Sequence, residues 1–193
     1  MPVRGLPATS PASTIAANES RLPIPSRDVA IATMTSHLYI VRHAWAEDMA
    51  ADGTDFSRQL TKKGIRRFEK MVRRLREGGM QVDLIATSPL PRARKTAEIL
   101  AAGLGGCELE VIDLLAPGSD WHATAAWTLE QEAMRVAWVG HNPCVSRHVA
   151  TAIGNTSALV RMQKGSVASI RLDDGLGHAG ELVWLANAEL LNC

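Results

Sequence analysis

The segment Leu38-Tyr39-Ile40-Val41-Arg42-His43 is the most informative part of the sequence for the fold, because a short apolar run ends abruptly in an arginine and a histidine. A compact apolar run of this length is typical of a buried strand. From residue 38 onward, such runs alternate with segments of helical period, the pattern of a mostly parallel α/β sheet. The sequence therefore predicts one α/β domain in which polar residues directly follow buried strands.

Alternating strands and helices can be placed along the rest of the chain. The predicted strands cover residues 38–41, 82–86, 109–112, 136–139, 166–172 and 182–186. The predicted helices cover residues 62–76, 89–102, 119–132 and 143–153. Glycines that follow the first two helices are natural stop signals.

Composition limits the possible functions. Of 193 residues, 46% are hydrophobic, and 21 basic residues nearly balance 20 acidic ones. This balance argues against nucleic-acid binding by bulk charge. No apolar run reaches the roughly 18 residues of a membrane helix, so no membrane contact is expected. The scattered cysteines Cys107, Cys144 and Cys193 indicate neither a disulfide framework nor a zinc site, which favours a reducing, cytoplasmic location.

The first 36 residues differ from the rest of the chain. They are rich in Pro, Ser, Thr and Ala, show no sustained period and lack the apolar core of a secretory signal. We expect residues 1–36 to be a disordered extension, with a targeting peptide as the alternative, and residues 37–193 to form the domain. Met34, just before the first strand, is an alternative start.

A basic cluster lies on the helix predicted at 62–76, interleaved with apolar residues. This pattern favours a solvated helix face, and the alternative is a surface that steers phosphate or contacts an acidic partner. The cluster consists of Lys62, Lys63, Arg66, Arg67, Lys70, Arg73, Arg74 and Arg76.

Three predicted strands end in residues suited to phosphate. The first runs into Arg42-His43, the second into Ser88 and the fourth into His141. In open α/β sheets, ligands bind outside the carboxyl ends of the strands. We therefore expect these residues to meet at one edge of the sheet.

Two of these strand ends also begin helices. The sequence predicts Ser88 as a cap with Pro89 at the first helical position, and Asn142 as a cap with Pro143 opening the next helix. Arg92 then falls in a first turn, where a cation is unfavourable unless an anion lies beside it. Free N–H groups at a helix start favour the same anion.

Four motifs in this order resemble the histidine phosphatase superfamily: VRHA (41–44), LTKKG (60–64), SPLPRARKTA (88–97) and VGHNP (139–143). Together with DFSRQLT (55–61), they are similar to small SixA-type phosphohistidine phosphatases. The resemblance spans residues 38–186. It implies a phosphoglycerate mutase-like fold, a single-domain three-layer sandwich with helices on both faces of the sheet.

The resemblance also implies roles for individual residues. His43 would become phosphorylated, and water would then release phosphate; a neutral imidazole, with an ordinary pKa of about 6.5, is a competent nucleophile. Arg42 and Arg92 suit bidentate contacts to phosphoryl oxygens, and Arg58 would be a third clamp. His141 would stabilise the phosphoryl group in transfer. No metal or other cofactor is expected.

The general acid of related enzymes, a glutamate, has no clear counterpart here. The candidates are Asp55, then Glu47, Asp48 and Asp113. Asp55 is favoured by its position three residues before Arg58.

Two functions are consistent with these residues. The first is removal of phosphate from phosphohistidine in a partner protein. The short segment 103–135 leaves no room for a large lid, so we expect an open site that admits a protruding side chain. The second is a phosphatase acting on a small metabolite such as a sugar phosphate or nucleotide. A mutase is disfavoured because the acidic residue and the lid of such enzymes are missing. A non-catalytic phosphate-binding module is disfavoured because both histidines and the arginines are present.

Overall fold

The computed structural model describes residues 35–173 and 175–193, which form a sheet covered by helices. In this part of the chain, the six strands are β1 (His37–Arg42), β2 (Leu84–Thr87), β3 (Glu108–Val111), β4 (Arg135–Gly140), β5 (Val167–Arg171) and β6 (Glu181–Ala186). The four α-helices are α1 (Lys62–Glu77), α2 (Pro91–Leu104), α3 (Trp121–Leu129) and α4 (Cys144–Ala152). A 3-10 turn at Asp113–Leu115 precedes α3.

The sheet is mostly parallel, as predicted. Its strand order is β3-β2-β4-β1-β5-β6. The four strands from β3 to β1 are parallel, whereas β5 and β6 each run antiparallel to the strand before them in this order. The carboxyl ends of β1, β2 and β4 therefore lie side by side at one edge. The amino end of β5 lies at the same edge because β5 runs in the opposite direction to β1.

Alternation along the strands builds a core on each face of the sheet. In β1, Tyr39 and Val41 pack with residues of α1 and α2, whereas Leu38 and Ile40 pack with residues of α3 and α4. Successive strand residues point to opposite faces, so one short strand serves both cores. The predicted three-layer sandwich, with helices on both faces, is confirmed.

Helix α2 begins two residues later than predicted. Pro91 is its first residue, Leu90 occupies the N-cap position, and no side chain caps the helix. A residue before a proline disfavours the helical region, and Leu90 is accordingly extended with ψ at 136°. The predicted cap Ser88 is therefore wrong, as is Pro89 at the first helical position.

Helix α4 also begins one residue later than predicted, at Cys144 with Pro143 in the N-cap position. The predicted cap Asn142 has other partners. Its Nδ2 donates to the carbonyl oxygen of Met162 at 3.2 Å, and its Oδ1 accepts from the Ser146 hydroxyl at 3.1 Å. Asn142 thus ties the start of α4 to the segment before β5 instead of capping the helix.

The residues directly before β1 pack on the domain. The Thr35 hydroxyl donates to the carbonyl oxygen of Ala133 at 3.0 Å, and the Ser36 N–H donates to that of Met134 at 2.8 Å. The predictions of a disordered extension or a targeting peptide concern residues 1–36, of which residues 1–34 lie outside the described residues. Over 35–173 and 175–193, none of the helices has the length and apolar character needed to span a membrane.

Candidate active site

A cleft of about 250 Å³ lies at the carboxyl ends of β1, β2 and β4. All six residues that the sequence singled out for the site line it: the two histidines, the three arginines and Asp55. The full lining is Arg42, His43, Asp55, Arg58, Arg92, Pro117, His141, Asn142 and Lys164.

His43 follows β1 directly and is buried, with 6% of its surface exposed. Its Nδ1 lies 2.8 Å from the carbonyl oxygen of Ala44. A carbonyl oxygen can only accept, so the ring proton sits on Nδ1 and Nε2 keeps its lone pair. Burial lowers the pKa of His43 to about 3, and the neighbouring cations Arg92 and Arg42 contribute in the same direction. His43 is therefore a neutral imidazole with Nε2 as its free basic atom.

The backbone around His43 is anchored to two other elements. The Gly165 N–H donates to the His43 carbonyl oxygen at 3.0 Å. The Ala44 N–H donates to the buried hydroxyl of Thr96 at 3.0 Å, and that hydroxyl donates to the carbonyl oxygen of Arg92 at 2.7 Å. This chain of hydrogen bonds fixes the histidine relative to the first turn of α2.

His141 follows β4, and its ring centroid lies 5.1 Å from that of His43. Its Nε2 lies 2.8 Å from the Ser88 hydroxyl, whereas its buried Nδ1 has no hydrogen-bond partner among the described residues. Burial, together with the Arg92 charge, lowers the pKa of His141 to about 4. The cleft thus contains two neutral imidazoles.

The guanidinium groups of Arg42 and Arg92 line the cleft together with the histidines. Arg42 donates from Nη1 to the Met162 carbonyl oxygen at 2.8 Å. Arg92, with 3% of its surface exposed, donates to the Asp55 backbone oxygen at 2.6 Å and to its carboxylate at 2.8 Å. Burial lowers the pKa of both arginines. The Nε atoms of both arginines are buried without a partner in the described part of the chain, so donors remain for an anion.

Asp55 links two of the arginines. Its Oδ1 accepts from Arg58 Nη1 at 2.6 Å while its Oδ2 accepts from Arg92 Nη2. The hydrogen bond from Arg58, assisted by Arg92, holds the pKa of the Asp55 carboxyl below its usual range. Asp55 is consequently an ionised acceptor at neutral pH, an arrangement that favours orienting arginines over donating a proton.

The other acid candidates lie away from the cleft. The Glu47 carboxylate accepts from the Gln59 N–H at 3.1 Å, and Asp48 and Asp113 are exposed. None of the three lines the cleft. Within 35–173 and 175–193, no group of three or more His, Cys, Asp or Glu side chains is placed to hold a metal ion.

Sequence reasoning missed Lys164 and the contact between Ser88 and His141. Lys164 precedes β5 and lines the cleft because β5 runs antiparallel to β1, which brings its amino end to the edge where β1 ends. An expectation of antiparallel pairing for the fifth strand would have indicated this position. The sequence predicts Ser88 at a strand end only as a helix cap, not as a hydrogen-bond partner of His141.

The site can bind and transfer a phosphoryl group. Three arginines and Lys164 face one carboxylate, which gives the cleft a net positive charge for an anion. Guanidinium groups match phosphoryl oxygens geometrically. A neutral imidazole with a free Nε2 beside these cations is a suitable nucleophile.

Comparison with known proteins agrees with this chemistry. A model of the histidine phosphatase superfamily (branch 1) matches residues 38–143. An uncharacterized protein of Picosynechococcus sp. is 38% identical over 138 residues, which cover 69% of this chain and 84% of that protein.

Solved structures show the same fold. The protein histidine phosphatase SixA complexed with tungstate superposes with a TM-score of 0.72 at 25% identity, covering 80% of this chain and 99% of that one. The alpha-ribazole phosphatase of Shigella flexneri superposes with a TM-score of 0.61 at 16% identity, covering 79% and 96%. The family match spans more than half of the chain. The chain therefore belongs to the histidine phosphatase superfamily and is a hydrolase of phosphoryl groups.

Proposed function

We propose that the chain removes phosphate from phosphohistidine in a partner protein, with His43 as the nucleophile. Two features of the cleft support this proposal: its small volume and the near absence of a lid over it. At about 250 Å³, the cleft alone is smaller than the roughly 300–1,000 Å³ typical of pockets that enclose a small molecule, and it continues into an open hollow instead of closing over a ligand. The segment between α2 and β4 contributes Pro117 alone to its lining. A cleft of this kind accepts a phosphoryl group on a protruding imidazole.

The reaction has two steps at His43. Nε2 attacks phosphorus in line, a bond from phosphorus to Nε2 forms, and the bond from phosphorus to the leaving nitrogen breaks. The departing imidazole takes up one proton from solvent water. Water then attacks the phosphorus, the bond to Nε2 breaks, and inorganic phosphate leaves with His43 restored.

The arginines hold the phosphoryl oxygens in both steps. Arg42 and Arg92 line the cleft together with the histidines, and the Nε atoms of both arginines have no hydrogen-bond partner in the described part of the chain. Asp55 holds Arg92 and Arg58 in a fixed orientation. Fixed donors around developing negative charge lower the barrier without reorganisation during the reaction.

His141 contributes a second neutral donor in this proposal. Ser88 Oγ accepts from the Leu90 N–H at 3.3 Å, so its own proton is available for Nε2 of His141. The ring proton then sits on Nδ1, the nitrogen that has no partner within residues 35–173 and 175–193. We assign this N–H to a phosphoryl oxygen, where it stabilises charge in the transition state.

The choice of substrate follows from the ionised state of Asp55. An alkyl phosphate expels a basic alkoxide and depends on an enzyme acid, whereas imidazole departs readily once protonated. No other carboxyl group lines the cleft in the described part of the chain. A phosphoramidate is therefore the better match. A small-molecule phosphomonoesterase acting on a sugar phosphate or nucleotide is the second candidate, because the alpha-ribazole phosphatase shares the fold.

The deciding experiment measures kcat/KM for a phosphotransfer protein phosphorylated on histidine by phosphoramidate, against a panel of sugar phosphates and nucleotides. We expect the protein substrate to be turned over at least about a hundredfold faster. A metabolite that exceeds the phosphoprotein would establish the second candidate instead. The His43→Ala variant controls for contaminating phosphatases.

A further inference from the structure

A second and larger hollow, the cationic groove, opens beside the catalytic cleft. It has a volume of about 840 Å³ and shares Arg42, Asn142 and Lys164 with the cleft. Its remaining walls come from Trp45, α1, the start of α4, the segment 156–164 and Glu189. Substrate bound in the cleft is therefore adjacent to the groove.

The groove concentrates positive charge that the chain as a whole lacks. Besides Arg42, it is lined by Arg67 of α1, Arg147 of α4, and Arg161 and Lys164 of the segment before β5, against the one carboxylate of Glu189. Net charge over all 193 residues is +1. The excess at the groove is therefore a local feature of the surface.

Most of these cations are available to a ligand. Across residues 35–173 and 175–193, Arg147, Arg161 and Lys164 form no ion pair with an acidic side chain. Arg147 and Arg161 are exposed, and Lys164 is half-buried. Neighbouring unpaired cations repel one another, and a polyanionic ligand relieves that repulsion.

The positive surface continues onto the basic helix. Arg67 lies over the Trp45 ring at 4.3 Å, and its Nε donates to the Cys193 carbonyl oxygen at 2.9 Å. A smaller hollow of about 280 Å³ shares Trp45, Arg67 and Lys164 with the groove and adds Lys63, together with one carboxylate, that of Asp48. Part of the basic cluster on α1 thus extends the groove.

We propose that the cationic groove binds an acidic segment of the phosphorylated protein, next to the phosphohistidine held in the cleft. This inference rests on the proposed function and adds a recognition feature to it. The cations come from four separate parts of the chain, namely β1, α1, α4 and the segment before β5, so an extended polypeptide contacts more of them than a compact metabolite does. Leu159, fully exposed on the groove wall, offers the apolar contact typical of protein interfaces.

The test uses two synthetic phosphohistidine peptides. In one, Asp and Glu flank the phosphohistidine on both sides; in the other, Asn and Gln replace them. We expect kcat/KM to be about tenfold higher for the acidic peptide at low salt, because complementary charge raises association rates. This preference should shrink at high salt, where the charges are screened.

Reversing the charge of groove arginines tests whether the groove causes the preference for the acidic peptide. Arg147→Glu combined with Arg161→Glu should abolish the difference between the peptides and leave aryl phosphate turnover unchanged. The matched control is Arg66→Glu combined with Arg73→Glu, which reverses two exposed charges of α1 that line neither hollow. The control should keep the preference, which separates the groove from overall charge.

A binding measurement keeps this inference distinct from the proposed function. Affinities of the unphosphorylated acidic and neutral peptides are compared by fluorescence, with and without the Arg147→Glu and Arg161→Glu changes. Selective, variant-sensitive binding without hydrolysis of phosphohistidine would support the groove and refute the proposed function. Two results would contradict the proposed binding of an acidic segment. Either the two peptides bind equally well, or the Arg147→Glu and Arg161→Glu changes reduce only the hydrolysis of nucleotides.

Discussion

Nδ1 of His43 lies 2.8 Å from the carbonyl oxygen of the next residue, Ala44, so the backbone itself sets the tautomer of the proposed nucleophile. No carboxylate is needed to hold the ring in this arrangement. The lone pair on Nε2 is available at neutral pH because burial keeps the imidazole uncharged. The reactivity of the proposed nucleophile therefore depends on the local conformation of the chain where β1 ends.

The first prediction concerns replacement of this histidine. His43→Ala should abolish turnover and leave the fold intact, since the residue lies at the end of a strand and outside both apolar cores. Acid-labile phosphate trapped on the wild-type protein should map to His43 by mass spectrometry. Circular dichroism checks the fold. Label at His141, with His43→Ala still active, would overturn the assignment.

The position of the site could be predicted from the sequence because its residues directly follow buried strands. Arg42 ends β1, His43 and His141 directly follow β1 and β4, and parallel strands bring such residues to one edge regardless of loop details. The start of α2 could not be placed correctly, since Pro89 and Pro91 are both acceptable first residues of a helix. Only the extended conformation of Leu90 decides between them.

A second prediction follows from three buried histidines. Burial lowers the pKa of His43 to about 3, and those of His141 and His148 to about 4. In the unfolded chain these groups titrate near pH 6.5. Below that pH the histidines are protonated in the unfolded state but stay neutral in the folded state. The free energy of unfolding should therefore fall as pH decreases from about 6.5, by up to about 1.4 kcal/mol per pH unit for each histidine.

Urea denaturation at pH 7 and pH 5 measures this loss. His148 is the best residue to change, because it packs against the Trp121 and Trp138 rings and lies outside the cleft. His148→Gln should reduce the pH-dependent loss by about 2 kcal/mol. His122→Gln, which changes an exposed histidine of α3, serves as the control. An undiminished loss in His148→Gln would contradict the assigned burial effect.

A third prediction concerns Gly64 in the first turn of α1. Alanine normally favours a helix by about 1 kcal/mol over glycine. Here a Cβ atom would lie 2.3 Å from the Trp45 carbonyl oxygen, which cannot move freely because it also accepts the Thr61 N–H at 3.0 Å. Gly64→Ala should therefore destabilise the protein by about 1–3 kcal/mol. Chemical denaturation measures the change.

The control for this substitution is Gly177→Ala, where a Cβ atom meets nothing within 4 Å. That variant should retain wild-type stability. Because Trp45 lies two residues after His43, Gly64→Ala should also lower kcat by displacing the segment that follows the nucleophile. Wild-type stability in Gly64→Ala would show that the two backbones approach less closely than described.

The position of Lys164 and the role of Asp55 could not be predicted from the sequence. Lys164 reaches the cleft through the antiparallel pairing of β5, and no local motif marks that pairing. Asp55 was identified, but its role depended on its contacts. An acid near one arginine can donate a proton, whereas one held by two arginines remains an anion, and only the three-dimensional structure distinguishes these cases.

The last prediction addresses that role directly. Asp55 accepts hydrogen bonds from Arg58 and Arg92, and its lowered pKa keeps it ionised at neutral pH, so we expect it to orient the arginines. Asp55→Asn should then slow alkyl and aryl phosphates by a similar factor, about tenfold, and Arg58→Ala should reproduce the defect. The measurement is the ratio of kcat/KM for the two substrate types in the wild type and each variant. A general acid would behave differently, because its loss costs alkyl phosphates about 10² to 10⁴ in rate and spares aryl phosphates, whose leaving groups need little protonation. If Asp55→Asn slows alkyl phosphates much more than aryl phosphates, Asp55 is the general acid. If a variant carrying both Asp55→Asn and Arg58→Ala is fully active, the segment around Asp55 is not part of the site.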